Sequence, residues 1–379
     1  PKGRFKERKK ERRMEAVKAF LARKDIEISV QRYLIDALGA MAQGLFASLL
    51  MGTILSTIGQ QAGWPILVEV GDFAKSAAGP AMAVAIAFAL KSPALVLFSM
   101  VAVGYAANTL GGAGGPLAVL VVAVFAAEAG KVVSGETKID ILVTPLVTIL
   151  VGCLLSMAWA PAIGAAATWV GGIIMWATEL QPFFMGIIVS VLVGIALTLP
   201  ISSAAICAAL GLTGLAGGAA VAGCCAQMVG FAIMSFKENR WGGLISQGLG
   251  TSMLQMGNIV RNPRIWIPPT LASAITGPIA TCFFQLKMNG AAISSGMGTC
   301  GLVGPIGVYT GWLSDIASGA MSSITAFDWV GLILICFILP GVLTYFFGLF
   351  FRKIGWIKEG DLTLASADEM VKEKKTAEE

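Results

Sequence analysis

Histidine is absent from this 379-residue chain. Its absence excludes a phosphohistidine, an imidazole general base and His ligation of haem. Seven cysteines are scattered through apolar segments, and no two form a CxxC. Without a His partner they suit neither a zinc site nor a Cys–His nucleophile, and they read as small buried hydrophobes. Charge is scarce as well. Asp, Glu, Lys and Arg make up 13% of the chain, where a soluble domain carries about 25%. Hydrophobic residues reach 56% and the mean hydropathy is +0.80. These absences leave no basis for a catalytic residue, a metal or a cofactor, and describe a chain that lives in a bilayer.

The charge present is unevenly placed. Residues 1–24 hold 11 of the 27 Lys and Arg, and residues 352–379 hold 6. By the positive-inside rule both ends are cytoplasmic, which requires an even number of crossings. The basic start is favoured as a helix held at an anionic leaflet over a nucleic-acid arm, so nucleic acid is not an expected partner. The chain then divides into a basic cytoplasmic arm (1–31), a transmembrane domain (32–352) and a cytoplasmic tail (353–379).

A spanning helix needs about 20 mostly apolar residues. Ten stretches qualify: 33–55, 66–90, 94–110, 116–133, 139–160, 183–200, 212–236, 265–286, 296–313 and 329–351. An eleventh, 162–180, either spans or lies in the interface, with Trp169 and Trp176 as anchors. Four segments mix Gly or Pro with polar residues: ANTLGGAGGPLA (107–118), TLPISSAAI (198–206), the run ending at Pro263, and MNGAAISSGMGT (288–299). Unsatisfied backbone is too costly in lipid, so such breaks are read as lying inside protein or beside a watery cavity. Close helix packing by small residues is the alternative. Glu69, Asp72 and Lys75 share a helix face, and Glu128 and Lys131 have the same spacing. Pairing near a helix end is their expected role, with ion coupling the rival.

The stretch GNIVRNPRIWIPPTLASAITGP (257–278) is expected to be a polar turn followed by a helix start, because Pro263 pushes Asn262 out of helical geometry. Gln255, Asn258 and Asn262 offer hydrogen bonds to a hydroxyl- or amide-bearing solute. Arg261 or Arg264 offers a fork for a carboxylate or phosphate, unless the two arginines serve topology alone.

Four blocks resemble, in order, the membrane subunit (IIC) of the bacterial phosphotransferase system, fructose-type branch. They are residues 78–133 with their Gly-rich turn, KIDILVTPLVTILVGCL (138–154), FFMGIIVSVLVGIALTLPISSAAICAAL (183–210) and NPRIWIPPTLASAITGPIA (262–280). The chain is similar to a stand-alone branch of that family. Phosphorylating members carry a Thr-Glu motif before the last block; here SQGLGTSMLQMGNIVRNP (246–263) has no carboxylate. Its nearest polar equivalents are Thr251, Ser252 and Gln255. The resemblance implies a homodimer in which one part scaffolds and the other carries solute in an elevator movement. It also implies that 198–206 and 246–263 face the solute, bringing in Ser202 and Ser203. Asn108 joins them from the first break.

The expected protein is therefore an all-α integral membrane protein with about ten transmembrane helices plus re-entrant segments, in a IIC-like fold. It is expected to be multi-pass in a bacterial inner membrane and to transport a small polar solute without coupled phosphorylation. Two rivals stand beside this. One is a sensor that binds ligand without transport, its basic arm touching a cytoplasmic partner. The other is a transporter of amphipathic, lipid-like molecules.

Overall fold

The computed structural model describes residue 15 and residues 18–364. The greater part of the basic arm and the tail 365–379 lie outside the described residues. Among those described the chain is helical, with no named strand and one isolated bridge between Gly214 and Met288. Five helical runs are long and apolar enough to cross a membrane, and Ala78–Ala89 and Pro182–Thr198 are shorter apolar helices.

The first half forms one packed group. α1 (Gln31–Ala62) ends at Gly63, whose φ of 66° closes the helix in the left-handed conformation. Trp64 then leads into α2 (Pro65–Ser76), which runs back along α1, and α3 (Ala78–Ala89) follows. The single span expected over 66–90 is thus broken at Ala77, where ψ is 3°. Two backbone contacts explain the break. Gly71 packs directly on the Gly52 carbonyl of α1, while Gly79 packs on the Gly104 carbonyl of the next helix. One straight helix would have to meet both neighbours at once, and the kink at Ala77 lets each half face its own. α4 (Ala94–Gly111) and α5 (Gly115–Val133) form a tight hairpin through a turn at Gly112–Gly114. Gly112 sits there at φ 50°, ψ −119°.

α6 (Asp140–Thr178) covers that hairpin. It has 39 residues and is about 58 Å long, nearly twice the roughly 30 Å hydrocarbon core. The two stretches expected at 139–160 and 162–180 are one helix, continuing through Pro161. Losing one backbone bond at a proline does not end a helix that packing holds on both sides. Just beyond the proline, Ile163 and Gly164 pack against Gly114 and Gly111 of the hairpin turn. Thr144, Thr148, Gly152, Ser156 and Ala160, four apart, are buried against α4 and α5. Thr148 and Ser156 satisfy their hydroxyls on the carbonyls four residues back. Leu142, Leu146, Leu150 and Leu154 face outward.

The second group gathers around α9 (Gly214–Met234), whose apolar window is 89% buried. α7 (Pro182–Thr198), α12 (Ile267–Pro278) and α14 (Ala326–Lys353) pack on it. Shorter pieces fill the breaks: α8 (Ser203–Ala209), α10 (Phe236–Ile245), α11 (Met256–Arg261) and α13 (Val303–Ala317). The two groups meet where α1 touches the irregular segments, Phe46 against Gly250 and Ile54 against Gly301.

Both described ends of the chain fold back on one end of the bundle, where Gly257 of α11 packs on Ile35. The basic arm is tied there by ions. Glu136 pairs with both Arg23 and Lys24, and Asp25 pairs with Arg32 at 2.8 Å. Burial works to raise the Asp25 carboxyl, but the Arg32 hydrogen bond and the charges of Arg32, Lys131 and Lys91 hold it below its ordinary value. The Lys24 hydrogen bond lowers Glu136 likewise. A carboxylate with a depressed folded pKa contributes stability that is present above its unfolded value, near 4, and is lost as pH falls through the lower folded value. Hydrogen-exchange protection at residues 20–30, taken relative to the intrinsic rate at each pH, is therefore expected to hold from pH 7 to 5 and to fall below about pH 4. Unchanged protection at pH 3 would show that the ion pairs do not hold the arm.

Candidate functional site

The breaks expected from the sequence are breaks in the structure, and three of them meet. The backbone N–H of Ser202, in the gap between α7 and α8, donates to the Ala113 carbonyl of the first turn at 2.9 Å. Ser203 donates its hydroxyl to the Gly296 carbonyl at 2.7 Å, and the Ser202 hydroxyl caps α8 by accepting from Ala205. Asn108 lies beside Gly115 and Gly79, at the mouth of the hairpin turn.

The irregular segment 246–262 sends its polar residues two ways. Thr251 is extended, and its hydroxyl accepts from the Met253 N–H. Ser252 points inward and shares a 2.8 Å hydrogen bond with Thr198, the last residue of α7. Thr198 in turn reaches the Gln227 Oε1 at 3.3 Å, and the Trp266 indole N–H donates to the same oxygen at 2.9 Å. The Gln227 amide nitrogen donates to Thr270, whose hydroxyl returns to the Trp266 carbonyl. Thr198, Gln227 and Ser252 have no exposed surface. Five polar side chains thus form one network between α7, α9, the segment 246–262 and the start of α12. Every member is neutral.

Gln255, Asn258 and Asn262 point the other way. Gln255 donates to Gln247 and to the Leu362 carbonyl and accepts from Asn258 at 2.7 Å. Asn258 also donates to the Thr363 carbonyl, and Asn262 donates to the Trp356 carbonyl and to Asp361. The partners of these three amides therefore include the chain's own C-terminal segment. Arg261 is exposed, and Arg264 lies 5.3 Å from the centre of the Trp356 ring.

Of the residues expected at a site, the structure places Ser252 in the inner network, with Thr251 next to it in the chain and its hydroxyl bonded to the Met253 N–H instead. It places Ser202, Ser203 and Asn108 around the neighbouring breaks, and Gln255, Asn258 and Asn262 under the C-terminal segment. Gln227, Thr198, Trp266 and Thr270 were not among the residues singled out from the sequence. Gln227 carried a readable signal: it is the one strongly polar side chain in the apolar run Gly214–Met234, and a polar residue in a membrane helix is expected to hydrogen-bond or to serve a site. Trp266 and Thr270 had none, because their roles depend on where α12 starts.

The expected pairing of charges is present. Lys75 meets Asp72 at 2.7 Å, and Lys131 meets Glu128 at 3.0 Å. Among the described residues, no group of three or more potential metal-ligating side chains is found.

No curated protein and no solved structure matches the chain. The family model described as phosphotransferase system, EIIC matches residues 35–364, a span that takes in both helical groups, the neutral network and the C-terminal segment. A multi-pass helical chain with these broken polar segments, matched over that length, belongs to the phosphotransferase system EIIC family, the membrane subunits that transport sugar-like solutes across the bilayer.

Proposed function

We propose that this EIIC-type subunit moves a small hydroxyl- or amide-bearing solute without phosphorylating it. The observation that carries the reading is the neutrality of the buried network. Ser252 and Gln227 offer a solute donors and acceptors, but the network includes no carboxylate and the chain has no imidazole. A hydroxyl that accepts a phosphoryl group needs a base or an orienting group within hydrogen-bond reach. The solute-binding wall would comprise Ser252, Thr251 and Gln227, with Ser202, Ser203 and Asn108 behind it. Gln255, Asn258, Asn262 and Arg261 would line the path on the side where both chain ends lie.

The two helical groups support an elevator movement, with α7, α9, α12 and α14 riding against α1–α6. Contacts such as Phe46 on Gly250 would be those that slide. The charge bias of the sequence supports a cytoplasmic position for that end of the bundle, and the family resemblance supports a bacterial inner membrane and a homodimer. Vesicles containing the purified protein are expected to take up a sugar, polyol or nucleoside without phosphorylated carrier proteins and to accumulate it unmodified. Uptake that strictly requires those carriers and delivers a phosphorylated product would overturn the proposal. The ion-paired basic arm favours a second reading, a membrane sensor. Ligand-induced thermal stabilisation with no uptake would establish it, and stabilisation by amphipaths alone would point to a lipid-like cargo.

A further inference from the structure

The three amides expected to line a solute path are hydrogen-bonded to residues 354–364, which follow α14 and fold back across α10 and α11. Two reversals build this strap. Gly355 at φ 77° and Gly360 at φ 92° supply left-handed turns, and Asp361 closes the second turn by accepting from the Lys358 N–H at 2.8 Å. Ile357 and Leu362 are buried, at 2% and 0% exposure, while Trp356, Lys358 and Glu359 between or beside them are exposed. The remaining grip is polar. Asn239 of α10 forms a two-point bond with the strap backbone, donating to the Leu362 carbonyl and accepting from the Leu364 N–H, each at 2.8 Å. Gln255, Asn258 and Asn262 donate to the Leu362, Thr363 and Trp356 carbonyls. Arg352 pairs with Glu238 at 2.6 Å, and Lys237 with Glu359 at 2.7 Å.

We propose that residues 354–364 are an autoinhibitory clasp, which fastens the re-entrant segment to α10 and occupies with its own carbonyls the amides of Gln255 and Asn258. The inference rests on the transport reading above. Its physical basis is the nature of the fastening. The strap's acceptors are those a carbonyl- or hydroxyl-bearing solute would present, so strap and solute compete for the same donors. Gln255 and Asn258 are buried beneath the strap, and when it lifts, water or a solute takes the place of its carbonyls, so the exchange of these neutral amide hydrogen bonds has little net cost. Without the amide bonds, Ile357, Leu362 and the Trp356 ring, which lies against Phe351 and Arg264, would give a weaker hold, so the clasp opens when those bonds are weakened. Opening frees the re-entrant segment from α10 at the end where both chain termini lie.

The test uses the full chain with Cys282→Ser, which removes the natural cysteine exposed among the described residues. A thiol is introduced under the strap by Gln255→Cys, and its labelling by a membrane-impermeant maleimide is timed with and without Asn239→Ala. Uptake is followed separately, in chains that keep Gln255. Asn239→Ala removes both strap bonds without touching the proposed solute wall. It is expected to speed labelling about tenfold, as the loss of one or two net hydrogen bonds predicts, and to raise the initial uptake rate several-fold. Asn239→Asp keeps the acceptor for the Leu364 N–H and loses the donor, so it is expected to fall between the two. Unchanged labelling overturns the clasp, and so does faster labelling with unchanged or slower uptake. If no variant and no parent chain takes up any solute, the transport reading falls, and labelling alone decides whether the strap shields Gln255.

Discussion

Replacing Lys131 by Met is expected to destabilise the protein by about 3–5 kcal/mol, the cost of leaving one partner of a buried ion pair uncompensated. Lys131 is 1% exposed, the largest fully buried side chain among those described. Its ammonium donates to the Asp25 carbonyl at 2.7 Å, to the Leu90 carbonyl at 3.0 Å and to Glu128. Arg32 reaches the same Leu90 carbonyl at 2.9 Å, and Tyr33 donates to Glu128 at 3.2 Å. One cation thus joins the ends of α3 and α5 to the arm. Met fills the volume but makes none of these bonds, and Glu128 is left with Tyr33 as its neutral hydrogen-bonding partner. The companion double variant Glu128→Gln/Lys131→Met removes both charges and is expected to recover a large part of the loss. Unfolding of the detergent-solubilised protein measures both. A single-variant loss below about 1 kcal/mol would place the pair with exposed ion pairs, which contribute little. A double variant no better than the single would show that the carbonyl bonds, not the charges, hold this end together.

How much of this was legible beforehand depended on how local the determinant was. The long spans were readable because twenty apolar residues in a row leave few alternatives, and the breaks because Gly, Pro and hydroxyl residues at membrane depth must lie against protein. The span expected over 296–313 is instead interrupted at Gly301 and Leu302, both at positive φ, and its helix begins at Val303. The kink at Ala77 was not readable. Nothing in ILVEVGDFAKSAAGP sets it except the pairing of Gly71 with Gly52 and of Gly79 with Gly104, two contacts between residues distant in sequence. Pro161 misled for the opposite reason: a strong local signal for a helix end is overruled by the packing of Gly164 on Gly111. The same logic sorts the site. Ser252 and Gln255 are three residues apart in one polar run, and periodicity alone does not say that one turns to Thr198 and the other to Leu362. The strap carried a faint signal, the apolar residues of IGWIKEGDLTL (354–364) spaced by Gly and charged residues. Its partners lie in α10 and in and beside α11, 94 to 125 positions earlier in the chain.

Gln227→Leu is expected to have the largest effect on solute handling. The substitution keeps most of the volume, yet it takes the acceptor from the Trp266 indole and from Thr198 and the donor from Thr270. In membrane proteins an interhelical hydrogen bond averages about 0.6 kcal/mol, so three of them set a structural loss of about 2 kcal/mol. A side chain that also bonds the solute loses a further 1–3 kcal/mol of binding, which is about 5- to 150-fold in affinity. The two contributions separate experimentally. Melting temperature without solute reports the first, and the solute concentration giving half-maximal stabilisation reports the second. Gln227→Glu keeps an acceptor for Trp266 and Thr198 while losing the donor to Thr270, and is expected to retain more of the fold than of the binding. Loss of stability with unchanged solute affinity would mean that the neutral network only glues α7, α9 and α12 together, and the solute wall would then have to be sought around Ser202, Ser203 and Asn108. A tenfold or greater loss of affinity beyond the stability change places the solute against Gln227, in the middle of the most buried helix of the bundle.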